Sequence, residues 1–263
     1  VSSIVKEIKI TTEVGKFSIF KFNCVESTQT MAKELYRRYS YDTFVVWAER
    51  QLEGRGRRER RWHSPKGGLY FSLFQKDLGD LRSPQLVSLA AGMAIRNGLK
   101  QFCNISCELK WPNDVLYQER KLCGILSESA IYDQKIHYAI VGVGINVNTD
   151  ISELPCEVRD KATSLKDIIG LELDLNELLS VSAEEVFKWL SFLKTDNGQK
   201  KVIESYKNHC VTLGSQVTVY LDNETISGLA VDITEEGALQ VLAAGETLLF
   251  ATGDVVHIRR DDI

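Results

Sequence analysis

Between Gly54 and Arg61 the chain reads GRGRRERR, five arginines and one glutamate in eight residues, and Trp62 follows directly with HSPKGG after it. Planar guanidinium forks at this density suit phosphate or carboxylate. Gly54 and Gly56 let backbone close on a ligand, and Trp62 offers a flat apolar face. A solvated loop is the ordinary reading of a charge run, yet such a loop has no need to combine arginine, glycine and tryptophan. The combination outlines a site for an anion that carries a ring.

Three further stretches could share that chemistry. In LKWPNDV, Leu109 to Val115, Pro112 ends a strand and Asn113–Asp114 turn the chain. As a site rather than a mere turn, Asn113 and Asp114 would face a ligand, a nucleotide edge or a hydrated metal. In KLCGIL, Lys121 to Leu126, a lysine opens an apolar strand. Solvated, it does nothing; beside a phosphate it neutralises charge in a transition state, and Gly124 lets that strand approach a ligand. GVGINVN, Gly142 to Asn148, has glycines two apart but no third one opening a helix, so the dinucleotide fingerprint fails. No GxxxxGK[ST] phosphate loop occurs.

Other chemistries find less support. The four histidines are scattered and none has an HExxH or nucleophile-elbow context. His137 reads as a packed or edge residue, and Glu235–Glu236 and Asp261–Asp262 as a solvated turn and tail. No nucleophile–base pair is recognisable.

The elements that must hold these stretches follow from periodicity. Alternation predicts a strand near Phe17 to Val25, then a helix in ESTQTMAKELYRRY capped by Ser27 or Thr28. TFVVWAER and GLYFSLFQ read as strands that the arginine segment connects. SPQLVSLAAGMAIRNGLKQF is a helix with Ser83 as cap and Pro84 in its first turn. Short strands follow at CELKW and DVLYQ. KLCGILSESAIY and KIHYAIVGVGINVN read as neighbours joined near Asp133–Gln134. A helical block runs from about Asp174 to Leu193. From Val211 the pattern becomes short strands alone, SQVTVYL, ETISGLAVDIT, GALQVLA and ETLLFATGDVVHI, with turns at Asp222–Asn223, Glu236–Gly237 and Gly245. The expected architecture is an α/β (α+β) domain on a mixed sheet over residues 1–210, and a small β-barrel over 211–263.

Composition sets the outer bounds. The chain has 263 residues, 44% hydrophobic and 26% charged, with a formal net charge of -4. An acidic chain with one basic spot of +4 between Gly54 and Arg61 fits a small anionic ligand better than a long polyanion. Six cysteines without a CxxC pair need no disulfide framework and suggest a reducing compartment. No apolar run approaches the ~18 residues that span a bilayer.

In this order, STQT at Ser27 to Thr30, ERQLEGRGRRERRWHSPKGGLYFS, KWPNDV, KLCGIL and GVGINVN resemble the motifs of the biotin protein ligases. The resemblance covers about Val25 to Asn148, and the closing barrel is similar to that family's small C-terminal domain. It implies a catalytic domain of the class II aminoacyl-tRNA synthetase-like, biotin/lipoate ligase type followed by an SH3-like β-barrel. It also implies a cytoplasmic enzyme that uses ATP to make biotinyl-5′-AMP and then biotinylates one lysine of a biotin carboxyl carrier domain. By the same resemblance, Ser27, Thr28, Gln51, Gly54, Arg55, Trp62 as lid, Lys121, Gly124 and Ile125 surround biotin. Arg57, Arg58, Lys110, Asn113, Asp114 and Asn146 surround ATP and the adenylate, with Asn146 toward the adenine. Arg57 and Lys121 take the catalytic roles at the acyl-phosphate. Mg²⁺ is expected on phosphate oxygens with few protein ligands, Asp114 being the one candidate. Neither DNA nor a membrane is an expected partner, and room is left for a homodimer.

Two points depart from the pattern. The family usually reads G-R-G-R-x-G in the arginine segment, and here Glu59 stands at the last glycine. Family members that also repress transcription carry a winged-helix domain in front, whereas about two dozen residues precede Ser27, so the expectation is a monofunctional ligase. The segment from Gly54 to Gly68 is expected to be mobile until a ligand pairs its arginines. A lipoate or octanoate ligase is the nearest rival, favoured less by KWPND and GRGRRERRW. A small RNA-binding protein is the rival of another class, disfavoured by the acidic charge and the lack of an aromatic stacking face.

Overall fold

The alternation from Phe17 to Val25 does form a strand, and the main sheet grows from it. The computed structural model describes residues 4–12, 15–39, 41–81, 83–133, 135–221, 224–251 and 253–257. Strand β1 (Lys6–Thr12), which the periodicity did not reveal, pairs antiparallel with β2 (Gly15–Val25). β2 lies parallel to β3 (Thr43–Gln51), and parallel neighbours need a crossover, which α1 (Thr28–Arg38) supplies. The remaining neighbours are antiparallel: β4 (Leu69–Lys76), β5 (Glu108–Lys110), β6 (Asp114–Tyr117), β7 (Arg120–Tyr132) and β8 (Lys135–Ile145). The order across the eight-stranded sheet is β1-β2-β3-β4-β8-β7-β6-β5.

Each face of the sheet carries its own core. On one, α1 packs Ala32 and Leu35 with Phe20, Phe22, Val46, Phe74 and Ile140. On the other, α2 (Gln85–Cys103), α5 (Leu175–Phe192) and α6 (Asp196–Lys207) bury Phe71, Leu73, Val141, Val143 and Ile145. Two short helices, α3 (Cys156–Arg159) and α4 (Leu165–Ile169), lie between β8 and α5. Helix α6 was not anticipated, since the expected helical block ends at Leu193. Ser27 caps α1 as expected, its hydroxyl accepting from the Gln29 N–H. For α2 the expectation shifts by one residue: Pro84 holds the cap position without a side-chain bond, while Ser83 Oγ accepts from the Gln85 N–H at 3.3 Å.

The last part of the chain forms a separate antiparallel sheet of β9 (Gln216–Tyr220), β10 (Thr225–Ile233), β11 (Leu239–Ala243), β12 (Glu246–Phe250) and β13 (Asp254–His257), ordered β12-β11-β10-β9-β13. ETLLFATGDVVHI thus holds two strands rather than one. The expected turn at Asp222–Asn223, residue Gln134 and the tail at Asp261–Asp262 lie outside the described residues. No helix among the described residues is long and apolar enough to cross a membrane.

Trp111 fastens the two sheets together. Its side chain is buried, its Nε1–H donates to the Gly237 carbonyl at 3.0 Å, and its backbone N–H donates to Thr212 Oγ1 at 3.0 Å. Around it Leu109 exchanges backbone bonds with His209 and Val211, and Lys207 pairs with Asp232 at 2.6 Å. His257 Nε2 lies 3.2 Å from Thr212 Oγ1 in the same seam. Burial, aided by the charge of Lys110, lowers the His257 pKa to about 4.

That value lies below the ~6.5 of an unfolded histidine, so the unfolded chain takes up the proton first. The stability is whole above pH 6.5 and is lost as pH falls toward 4, with His209, also lowered by burial, adding in the same direction. Urea midpoints should therefore drop across that window, and His257→Gln should flatten part of the drop. An unchanged slope in the variant would remove His257 from the seam's pH dependence.

Candidate active site

The strand register creates the site before any side chain does. Across the sheet, Ala48 pairs with Tyr70, Tyr70 with Gly144, Gly144 with Gly124, Gly124 with Asp114, and Asp114 with Lys110. Residues paired this way share a face. One step along, Val46, Ser72, Gly142 and Leu126 form the next row. Three of the eight positions named on the central strands are thus glycine, on the α1 face of the sheet, and leave a shallow trough floored by backbone.

Trp62 lies flat on that floor. A Cβ added at Gly144 would meet its Nε1 at 2.4 Å, and one at Gly124 would meet its Cζ3 at 2.7 Å, closer than real contacts allow. Gln29 covers Gly142 in the same way and donates to the Leu126 carbonyl at 3.0 Å. The indole Nε1 of Trp62 is buried and has no partner. Lys121 Nζ stands 5.3 Å from the Trp62 ring centroid and 2.7 Å from Asp114 Oδ1. A cation, a carboxylate and an indole therefore border one strip of bare backbone.

A polar relay ties this floor to the start of α1. Gln51 Oε1 accepts from the Thr28 N–H at 2.9 Å and the Thr28 hydroxyl at 3.1 Å, which leaves Ser72 to donate to Thr28 Oγ1 at 2.8 Å. Gln51 Nε2 donates to Ser64 Oγ at 2.9 Å, and Ser64 donates to the Trp62 carbonyl at 3.2 Å. Each hydroxyl has one proton and each finds one use. Gly54 is forced here, because a Cβ would sit 2.4 Å from the Trp62 carbonyl oxygen.

The arginine segment is a hairpin. Arg55 bridges Arg61, Trp62 N–H donates to the Gly54 carbonyl at 2.8 Å, and Arg60 N–H donates to the Arg57 carbonyl at 3.1 Å. The two central residues, Arg58 and Glu59, have φ of 51° and 59°. That is the signature of a type I′ turn, which favours glycine at its second central position. Glu59 occupies that position. The backbone therefore supplies a steric reason to expect glycine where Glu59 stands.

The expected site residues divide into groups. Thr28, Gln51, Gly54, Trp62, Lys121, Gly124 and Asp114 converge on the trough or its relay, while Ser27 caps the helix that carries Thr28. Asn113 is turned inward: its Nδ2 donates to the Ile125 carbonyl at 2.7 Å, its carbonyl accepts from Ile125, and Arg57 Nη1 reaches its Oδ1 at 3.5 Å. Ile125 meets the site with backbone only, since its side chain belongs to the opposite core. Asn146 is buried and donates to the Thr163 carbonyl at 3.1 Å. Lys110 ends the row that crosses Gly144 and Gly124. Arg55 is exposed, and nothing described ties its side chain to the trough. Arg58 points away, its Nη1 donating to the Tyr220 carbonyl at 2.6 Å in the C-terminal sheet. Beneath the floor, burial raises the Cys123 thiol well above its ordinary range, which rules it out as a nucleophile. Gln29, Ser64, Ser72, Gly142 and Gly144 were missed as site residues. The glycines could have been found from their spacing, because two glycines two apart in a strand bare the same face.

Comparison with known proteins bears on this arrangement. The Biotin/lipoate A/B protein ligase family matches residues 21–146, and the Biotin protein ligase C terminal domain matches residues 212–258. The chain is 30% identical over 236 residues to the bifunctional ligase/repressor BirA of Bacillus subtilis, covering 88% of this chain and 71% of that protein. It is 32% identical over 224 residues to the biotin–[acetyl-CoA-carboxylase] ligase of Mycobacterium tuberculosis, covering 83% and 80%. The biotin protein ligase of Aquifex aeolicus, solved in complex with biotin and ATP, superposes with a TM-score of 0.77 at 30% identity, over 92% of this chain and 98% of that one.

The left-handed conformation at Glu59 costs about 1 kcal/mol relative to glycine. Glu59→Gly should therefore favour the closed hairpin and slow hydrogen exchange at the Arg60 and Gly56 amides about fivefold. Equal exchange in the two proteins would refute the strain at residue 59.

Proposed function

Because the chain belongs to the biotin protein ligases of the biotin/lipoate A/B protein ligase family and is a ligase, we propose that it activates biotin with ATP and passes the biotinyl group to a lysine of a biotin carboxyl carrier domain. The observation that carries this reading is the glycine floor bordered by Lys121, Asp114 and the arginine hairpin. A small bicycle with a polar ureido head suits a flat backbone strip with a hydrogen-bonding relay at one end. Cations at the other end suit the place where phosphate charge builds.

In the first step a biotin carboxylate oxygen attacks the α-phosphorus of ATP, and pyrophosphate leaves with the electron pair of the broken P–O bond. In the second, the acceptor amine attacks the acyl carbon, the acyl C–O bond breaks with its electron pair leaving on AMP, and the nitrogen gives up a proton to solvent as the amide forms. Lys121 and Arg57 supply positive charge beside the acyl-phosphate in both. Ser27, Thr28 and Gln51 orient the acid, and Trp62 covers it. Entry of a ring over Gly124 and Gly144 requires the indole to rise, since it contacts both. Nothing in this scheme asks for a nucleophile on the enzyme.

Magnesium fits as an ion held chiefly by phosphate oxygens and water. Among the described residues no group of three or more His, Cys, Asp or Glu could enclose one, and the single carboxylate of the row, Asp114, is paired with Lys121. When bound it would offset phosphate charge alongside these cations. Pyrophosphate exchange with biotin, lipoate and octanoate in turn tests the substrate, and mass spectrometry of a carrier domain tests the transfer. Exchange with lipoate or octanoate but not with biotin would overturn the reading.

Two variants probe the roles. Lys121→Ala should slow adenylate formation by about 10²- to 10³-fold, the usual cost of one electrostatic donor, with a much smaller loss of biotin affinity; near-normal pyrophosphate exchange would end that assignment. Arg57→Gly should release biotinyl-AMP early and label bystander lysines, because a bidentate fork on the mixed anhydride is lost. Labelling confined to the carrier lysine at full activity would exclude a retaining role for Arg57.

A further inference from the structure

The tip of the arginine hairpin is held by the other sheet. Arg58 Nη1 donates to the Tyr220 carbonyl at 2.6 Å, and Arg57 Nη1 donates to the Gly253 carbonyl at 3.2 Å. Tyr220 and Gly253 adjoin the paired ends of β9 and β13, where Tyr220 faces Asp254 in the register. We propose that the C-terminal sheet latches the arginine hairpin, and that Arg58 is a positioning residue acting through the Tyr220 carbonyl, not a contact to ATP or the adenylate. This rests on the ligase reading for its kinetic consequences, though not for the contact itself.

Three observations support a latch over a chance surface bond. The turn carrying these arginines is strained, with two consecutive non-glycine residues in the left-handed region, so it needs external contacts to persist. The carbonyls that hold it are fixed. Trp111 bonds to Gly237, Lys207 pairs with Asp232, and the Gly237 turn packs on Leu89 and Gln85 of α2. The C-terminal sheet is thereby anchored to the main domain at points distinct from the hairpin. Finally, Gly253 adopts φ 151°, and a Cβ there would lie 2.8 Å from Val219 Cγ1, so a glycine is needed to present that carbonyl.

The geometry makes a chain of constraint. The relay through Gln51 and Ser64 fixes the base of the hairpin, and the C-terminal sheet fixes its tip. Arg57 sits between them, and Asn113, which it also approaches, braces β7 below. The aim of the Arg57 fork is then set from both sheets at once. Losing the tip contact should loosen retention of the adenylate while leaving biotin recognition at the base largely intact.

Hydrogen exchange at Gly56 and Arg60 reads the latch without any activity. Arg58→Ala and Gly253→Ala should each speed it about five- to tenfold, the net effect of one solvent-exposed hydrogen bond, and Arg58→Lys, which keeps a donor, should recover most of the protection. The double variant Arg58→Ala/Gly253→Ala should be no worse than the worse single one, because either change releases the same tip. In parallel, Arg58→Ala should raise the dissociation rate of biotinyl-AMP by a similar factor with the KM for biotin within about twofold. Unchanged exchange in Arg58→Ala, or strictly additive effects in the double variant, would overturn the latch. If Gly253→Ala fails to fold, the Ala and Lys variants at residue 58 decide by exchange alone. Absence of biotinyl-AMP formation by the unaltered protein would instead defeat the ligase reading and leave the exchange result standing.

Discussion

Bare backbone at Gly124, Gly142 and Gly144 is the constraint on which the site depends. Central strands of a mixed sheet ordinarily bury both faces under side chains, and the opposite face of β7 and β8 does so with Ile125, Val141, Val143 and Ile145. On the α1 face the same strands offer no Cβ at three of the positions that would fill the space. Glycine weakens a strand interior, because it contributes no packing and loses more chain entropy. The sheet tolerates the loss because the next row, with Phe44, Phe74 and Ile140 under α1, stays densely packed.

What covers the depression follows from what it lacks. An indole and an amide side chain reach in from neighbouring segments, Trp62 over Gly124 and Gly144, and Gln29 over Gly142. Neither is anchored by packing alone. Gln29 rides on a helix whose first turn is held by the Ser27 cap, and the backbone of Trp62 is held by Gly54 and Ser64. The cover and the relay are thus one construction, and a ligand that takes a hydrogen bond from the relay acts on the segment that closes over it. Rigid strands supply the floor and a connecting loop supplies the closure, the usual division of work at a binding site.

Much of the sheet was legible in the residues because local rules and tertiary packing agree there. The alternation in β2, the long apolar runs of β4 and β8, and the Ser27 cap each say locally what the fold needs globally. Strand β1 was overlooked although KEIKITT alternates, because Ile8 and Ile10 alone mark its apolar face and the strand lies at the sheet edge. Helix α6 was hidden by a polar face and a Gly198 near its start. Within the site, motifs showed which segments matter but not which atoms face inward. Asn113, expected near ATP, donates its amide to the Ile125 carbonyl, and Arg58, expected near the adenylate, donates to the Tyr220 carbonyl, partners that no motif discloses. Ser64 and Ser72 carried no signal, because a serine in a relay differs from any other only by its partners.

The hairpin is where local preference and global structure disagree. A two-residue hairpin with both central residues at positive φ asks for Asn-Gly or a near equivalent, and the chain offers Arg58-Glu59. A disagreement of this kind persists only where surrounding contacts over-determine the conformation, and it clusters at functional sites. Here the base of the hairpin is closed by paired backbone at Gly54 and Trp62, and its tip is held by carbonyls of a second sheet. Strain in the turn therefore lowers the cost of opening without permitting a different closed form. On the proposed reading, in which the loop admits a ring, covers it and later releases it, such a state serves better than a turn at its conformational optimum.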